Sequence, residues 1–248
     1  MASPLEQFQI HPVTIGGHPI LPLKIGSLDL SYSNSALWMT IAIVLITLLM
    51  TLPMRRATLV PGRWQSVSEM TYEFVANMLD DQAGHGARKY FPLVFTLFMF
   101  ILFGNLLGMV PYSFTFTSHI IVTFGLAICV FLGVTILGFA RHGAHFLSFF
   151  VPQGVPWILL PLMIPIEVLS YLIRPVSLSI RLFANMMAGH TMLKVFSGFV
   201  IALGFLGGWA PLAVNVALTG FEFLVCFLQA YVFAVLTCIY LNDALHLH

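Results

Sequence analysis

Between residues 156 and 241 the chain is almost wholly apolar, yet it carries Glu167, Arg174, Arg181, His190, Lys194 and Glu222. An ionised side chain at the middle of a hydrocarbon layer costs about 2.5–3.5 kcal/mol on insertion scales, so such residues are usually kept for a use. Carboxylates and an imidazole in that setting can gain and lose protons. A guanidinium cannot, because it stays charged at any physiological pH. The chemistry on offer is proton movement past a fixed cation.

Spacing sorts these groups. At 100° per residue, Glu167, Arg174 and Arg181 lie seven apart and stay within about 40° of one line. Ser177 and Asn185, four residues either side of Arg181, widen the same stripe, whereas His190, nine residues beyond Arg181, falls on the opposite face. Further on, Asn215, Glu222 and Gln229 again sit seven apart and mark a second polar stripe. Two neighbouring helices with such stripes, offering a His and a Glu that can face each other, meet the needs of a proton path. Plainer roles stand beside this one. Arg174 and Lys194 read as cations that snorkel to the interface, and Glu167 either pairs with Arg174 or serves the path. His190 and Glu222 can also be read as a structural buried pair, and Asn215 as interhelical glue. Arg181 has no acid three or four residues away, so its counter-charge should come from another subunit.

The elements that must hold these groups are membrane helices. Of 248 residues 59% are hydrophobic and 8% charged, against roughly 25% charged in a soluble domain. Ten basic and nine acidic residues cannot cover the surface of a chain this long in water. Net charge of +1 gives no basic field for nucleic acid. Cys129, Cys226 and Cys238 are scattered through apolar runs without CxxC spacing, and they read as small core residues. His142 and His145 suit a solvated loop better than a metal site, so neither a metal nor a cofactor is expected. No basic segment followed by an apolar core opens the chain, so no cleavable leader is expected and the first apolar run stays as an anchor.

About 20 apolar helical residues span a bilayer. The expected fold class is all-α, a polytopic membrane protein with one membrane domain over residues 1–248. An outer segment covers 1–35, and upright spans cover 36–53, 90–112 and 119–140. Residues 64–82 alternate apolar Trp64, Val67, Tyr72, Val75 and Leu79 with Glu69, Glu73 and Asp80. That pattern suits an amphipathic helix on the membrane surface. From 156 to 241, hydropathy alone allows either three spans or a long tilted hairpin, with 156–206 and 211–241 as its arms around Gly207-Gly208-Trp209-Ala210-Pro211. Arg55, Arg56, Arg63, Arg88, Lys89 and Arg141 fall on one side of these spans and Lys24 on the other. The basic side should face the cytoplasm or matrix, with the N-terminus outside and the C-terminus inside.

The run PVSLSIRLFANMMAGH (175–190), followed by FEFLVCFLQAYVFAVLTCIYL (221–241), closely resembles subunit a of F-type ATP synthases, and FGNLLGMVPY (103–112) agrees. The opening PLEQFQI and the His190–Glu222 combination resemble the alphaproteobacterial and mitochondrial branch. The resemblance implies a proton-translocating stator subunit rather than an enzyme. In that role Arg181 would face a rotor ring of c subunits and separate two aqueous half-channels. His190, Glu222 and Gln229 would border the outer half-channel, Glu167 and Ser177 the inner one, and Asn185 would support Arg181. It implies the tilted hairpin as well. Its partners would be the c ring, peripheral-stalk b subunits and the other synthase subunits, in a bacterial plasma membrane or a mitochondrial inner membrane. A secondary transporter would show repeated broken helices, and a membrane enzyme would show HExxH, GxSxG or a Cys/His cluster; the sequence has none of these.

Overall fold

An apolar run without a polar stripe has no preferred face, and in lipid its backbone groups must pair with one another, which a helix achieves. The computed structural model describes residues 10–12, 14–15, 18–19, 24–25, 28–29, 32–56, 58, 60–110, 113–151 and 158–245. Among them are helices α1 (Asn34–Thr51), α2 (Arg63–Ala83), α3 (Phe91–Gly108), α4 (Ile120–His142), α5 (Leu160–Gly207) and α6 (Trp209–Leu245). All but α2 lie in stretches long and apolar enough to cross a membrane. The segment before α1 adds two small antiparallel hairpins, β1 (Thr14–Ile15) with β2 (His18–Pro19) and β3 (Lys24–Ile25) with β4 (Leu28–Asp29). The remainder of the expected outer segment, and the expected helix limits at 112 and 156, lie outside the described residues.

Local chemistry sets the helix ends and hides stray polar groups. Ser33 caps α1, its Oγ accepting from the backbone N of Ala36 at 3.4 Å. Within α1 the hydroxyls of Thr40, Thr47 and Thr51 each donate to the carbonyl four residues back, at 2.8, 2.8 and 2.7 Å. The hydrogens of these three hydroxyls are thereby taken up within the helix.

α5 runs for 48 residues, about 72 Å at 1.5 Å per residue and more than twice the hydrocarbon thickness. Pro165 and Pro175 lie inside it. Each removes a backbone donor, a defect that membrane helices tolerate where neighbouring groups supply hydrogen bonds. The break comes at Gly204, with φ +63° and ψ −160°, a conformation open to glycine. Gly208 N then donates to Gly204 O at 2.9 Å. A Cβ on Gly208 would lie 2.7 Å from that carbonyl and 2.9 Å from Val200 O, so only glycine fits. The turn therefore falls slightly earlier than the Gly-Gly-Trp-Ala-Pro cluster suggests. Trp209, Ala210 and Pro211 form the first turn of α6, where proline lacks no needed donor. α6 also continues to Leu245, beyond the apolar run that ends at 241.

The chain packs as two compact units. One takes in residues up to Ser68, Met99–His119 and Phe183–Ala230; the other takes in Glu69–Phe98, Ile120–Leu182 and Tyr231 onward. In the first, Ser68 Oγ donates to Leu49 O at 2.8 Å. Phe116 is fully buried, against Phe100 at 5.3 Å between ring centres and against Gly104, whose missing side chain makes the room. In the second, α2 buries Val75, Met78, Leu79 and Ala83, and Phe74 packs on Phe98 and Tyr231, both with ring centres 5.8 Å apart. The apolar stripe of α2 is thus divided. Val75 and Leu79 enter the core, while Trp64, Val67 and Tyr72 stay 69, 46 and 53% exposed.

Arg174 departs from the snorkelling reading. Its Nη1 donates to Asp243 Oδ2 at 2.8 Å, and its guanidinium lies over the rings of Tyr171 at 5.4 Å and Tyr240 at 5.0 Å. Charge pairing and ring faces together hold a cation that would otherwise seek water. Tyr171 is itself fixed, its hydroxyl 2.7 Å from Thr135 Oγ1.

Candidate functional site

The first unit gathers the groups that can exchange protons. His190 on α5 and Glu222 on α6 meet with Nδ1 3.7 Å from Oε1, their side chains 11 and 5% exposed. That distance is longer than a hydrogen bond, and among the described residues neither carboxylate oxygen of Glu222 has a hydrogen-bond partner. A carboxyl group buried without donors is costly unless a partner takes or shares its charge. The group placed to do so is the imidazole.

Three features of the sequence bring the pair together. Gly189 lets α6 approach, since a Cβ there would collide with Glu222 Oε1 and lie 2.8 Å from Cδ; any larger residue would push the carboxylate away. Asn105 of α3 is fully buried, and its Nδ2 donates to the Cys226 carbonyl at 3.3 Å, anchoring α6 one turn beyond Glu222. On its far side the His190 ring is held by Thr115, with Nε2 and Oγ1 3.1 Å apart.

A cleft of about 240 Å³ opens beside the pair, lined by Asn185, Gly189, Met192, Leu218, Glu222 and Gln229 among others. It has room for several water molecules and brings amide groups to the carboxylate. Sequence spacing puts Asn185 one turn from Arg181; the structure also makes it a wall of this cleft, with Gln229 and Glu222. Asn215 lies further up α6, its Nδ2 donating to Ser197 Oγ of α5 at 3.0 Å, which is the interhelical bond that its position suggests.

The remaining sequence-derived residues lie on α5 within the second unit. Glu167 is half-buried, and Ser177 and Arg181 are exposed. Among the described residues, Arg181 and Glu167 make no ion pair or hydrogen bond. Arg181 thus presents an unpaired guanidinium on the surface of a helix apolar enough to enter a membrane, with exposed Ser177 one turn before it. Lys194 is exposed too.

Thr115, Gly189 and Asp243 were not singled out by sequence. Glycine is common in membrane helices, so only the collision at Glu222 reveals the need for it. Thr115 lies in a connecting loop and Asp243 past the last apolar run, where polar residues are expected.

The family model for the ATP synthase A chain matches residues 36–242. The Pelagibacter ubique protein named ATP synthase subunit a is 56% identical over 99% of this chain and 98% of its own length. Those of Parvibaculum lavamentivorans and Paramagnetospirillum magneticum, with the same name, are 58 and 54% identical over 98 and 100% of this chain and 94 and 100% of their own lengths. The matched stretch contains Arg181, His190 and Glu222, and the chain belongs to the ATP synthase A chain family.

Proposed function

We propose that this chain is the proton-conducting stator subunit of a rotary ATP synthase, and that Arg181 is its fixed cation against a rotor ring. The observation that carries the reading is the exposed Arg181 guanidinium on a membrane helix, without an ion pair among the described residues. A permanent charge in such a place needs a counter-charge from outside the chain. A ring of c subunits, each bringing a carboxylate past Arg181, supplies one repeatedly, and the small Ser177 one turn away allows close approach.

In this reading His190, Glu222 and Gln229 border the outer half-channel, with the cleft as its water-filled part. Glu167 and Ser177 serve the inner one, and Asn185 supports the passage near Arg181. Arg181 cannot itself pass a proton on, so it separates the two. The chain makes no ATP; it converts proton flow into rotation, with b subunits of the peripheral stalk holding it still. An affinity tag on this chain should recover a ring of small two-helix proteins on purification from its own membranes. Recovery of the chain alone, with solute-dependent transport, would instead make it a carrier.

The host is a bacterial inner membrane in this account, with the N-terminus outside. Val60 and Val110 are exposed, and cysteines placed there report sidedness. Val60→Cys should react with an impermeant maleimide from the inner face only, and Val110→Cys from the outer face only. The reverse labelling would overturn the orientation.

A further inference from the structure

We propose that Thr115 is a positioning residue that fixes the tautomer of His190, keeping Nδ1 as the nitrogen that exchanges a proton with Glu222. The inference rests on the proton-path reading of the pair and adds a group to it. Thr115 is 6% exposed and stands just before a short 3-10 turn, Phe116–Ser118. Its Oγ1 lies 3.3 Å from Gly108 O and 3.1 Å from His190 Nε2.

Hydrogen counting fixes the direction of these contacts. A hydroxyl has one hydrogen and a carbonyl can only accept. Gly108 is the last residue of α3, so its carbonyl has no partner within the helix and needs an outside donor. Among the described residues Ser113 Oγ is the other candidate, but it lies 2.6 Å from Leu107 O against 3.1 Å from Gly108 O, so its hydrogen goes to Leu107. The Thr115 hydrogen therefore goes to Gly108 O, and its oxygen accepts from His190. Nε2 must then carry a hydrogen, which leaves the lone pair of the neutral ring on Nδ1, 3.7 Å from Glu222 Oε1.

That tautomer suits exchange. When Glu222 is protonated, its O–H bond breaks as an N–H bond forms at Nδ1, leaving a carboxylate beside an imidazolium; the reverse step restores both neutral groups. Throughout, Nε2–H keeps its acceptor. The opposite tautomer would put a hydrogen on Nδ1 and close the ring to a proton from Glu222. The ionisable groups around the ring are Glu222 on α6 and Lys194, one turn further along α5.

The test uses the assembled complex with ¹⁵N-labelled histidine, the His190 signals being assigned by their absence in His190→Gln. Solid-state NMR should show hydrogen on Nε2 of the neutral ring in wild type and in Thr115→Ser, and a mixed or reversed state in Thr115→Val. Hydrogen on Nδ1 in wild type, or a ring unchanged by Thr115→Val, overturns the proposal. In inverted vesicles with equal amounts of complex, Thr115→Val should slow ATP-driven pumping about tenfold, as loss of one buried hydrogen bond allows. Thr115→Ser should stay within about twofold of wild type, because it keeps the hydroxyl. Equal rates for Thr115→Val and wild type also overturn the proposal. Normal pumping by His190→Gln would overturn the proton-path reading itself, whatever the tautomer.

Discussion

Arg181→Ala is expected to leave the complex assembled and to reduce ATP-driven proton pumping to background. Assembly should survive because Arg181 is exposed and makes no hydrogen bond or ion pair among the described residues. Removing it strands no hydrogen-bond or ion-pair partner among the described residues, and such surface changes usually stay within about 0.5 kcal/mol. Pumping should fail because Arg174, the other arginine on this stripe, is already paired with Asp243 and cannot replace the charge offered to a passing carboxylate. Loss of one preorganised charge contact commonly costs about 10²-fold or more in rate, and in the proposed function loss of the barrier would also let protons leak between the half-channels. Arg181→Lys should fail as well. An ammonium is a compact, strongly hydrated point charge without the planar fork of a guanidinium. The checks are acidification of inverted vesicles on ATP addition, with native gels for the amount of complex. Normal coupled pumping by Arg181→Ala would remove Arg181 from the mechanism.

The charged members of the site were legible in the sequence for a simple reason. An apolar helix offers few excuses for a Glu, a His or an Arg, so Glu222, His190 and Arg181 stand out against their neighbours. Helical phase also separates His190 from Arg181 without any structure. The partners that orient these groups are not visible in this way. Thr115 reaches His190 across 75 residues of sequence, and no local pattern encodes that meeting. Gly189 matters for what it lacks, and Asn105 meets the Cys226 carbonyl across 121 residues of sequence.

Arg174 shows the converse difficulty. Seen alone it is a cation near a helix end, for which snorkelling is the ordinary fate. Its true partner, Asp243, lies past the apolar run that ends at 241, 69 residues away in sequence. The long helices raise a related problem. Gly207-Gly208-Trp209-Ala210-Pro211 is the breaker cluster that the sequence offers, yet α5 continues through Pro165 and Pro175 and its backbone breaks at Gly204. Proline removes one donor, whereas the backbone at Gly204 leaves helical geometry altogether.

The buried pair is where proton movement is tested most directly. His190 and Glu222 lie 3.7 Å apart with little exposure, so removing either leaves the other buried without the group placed to share its proton. His190→Ala and Glu222→Ala should each slow pumping by at least about tenfold, or ~1.4 kcal/mol in barrier. The exchange His190→Glu with Glu222→His restores one acid and one imidazole at the same place. It should therefore recover more flux than the product of the two single losses allows. The decisive measurement is the initial rate of ATP-driven acidification in inverted vesicles for wild type, both single variants and the exchanged double, normalised to assembled complex. A double variant clearly faster than the singles multiply to is the expected result. Losses that multiply strictly would show that the two residues act independently, and would contradict a shared proton path through this pair.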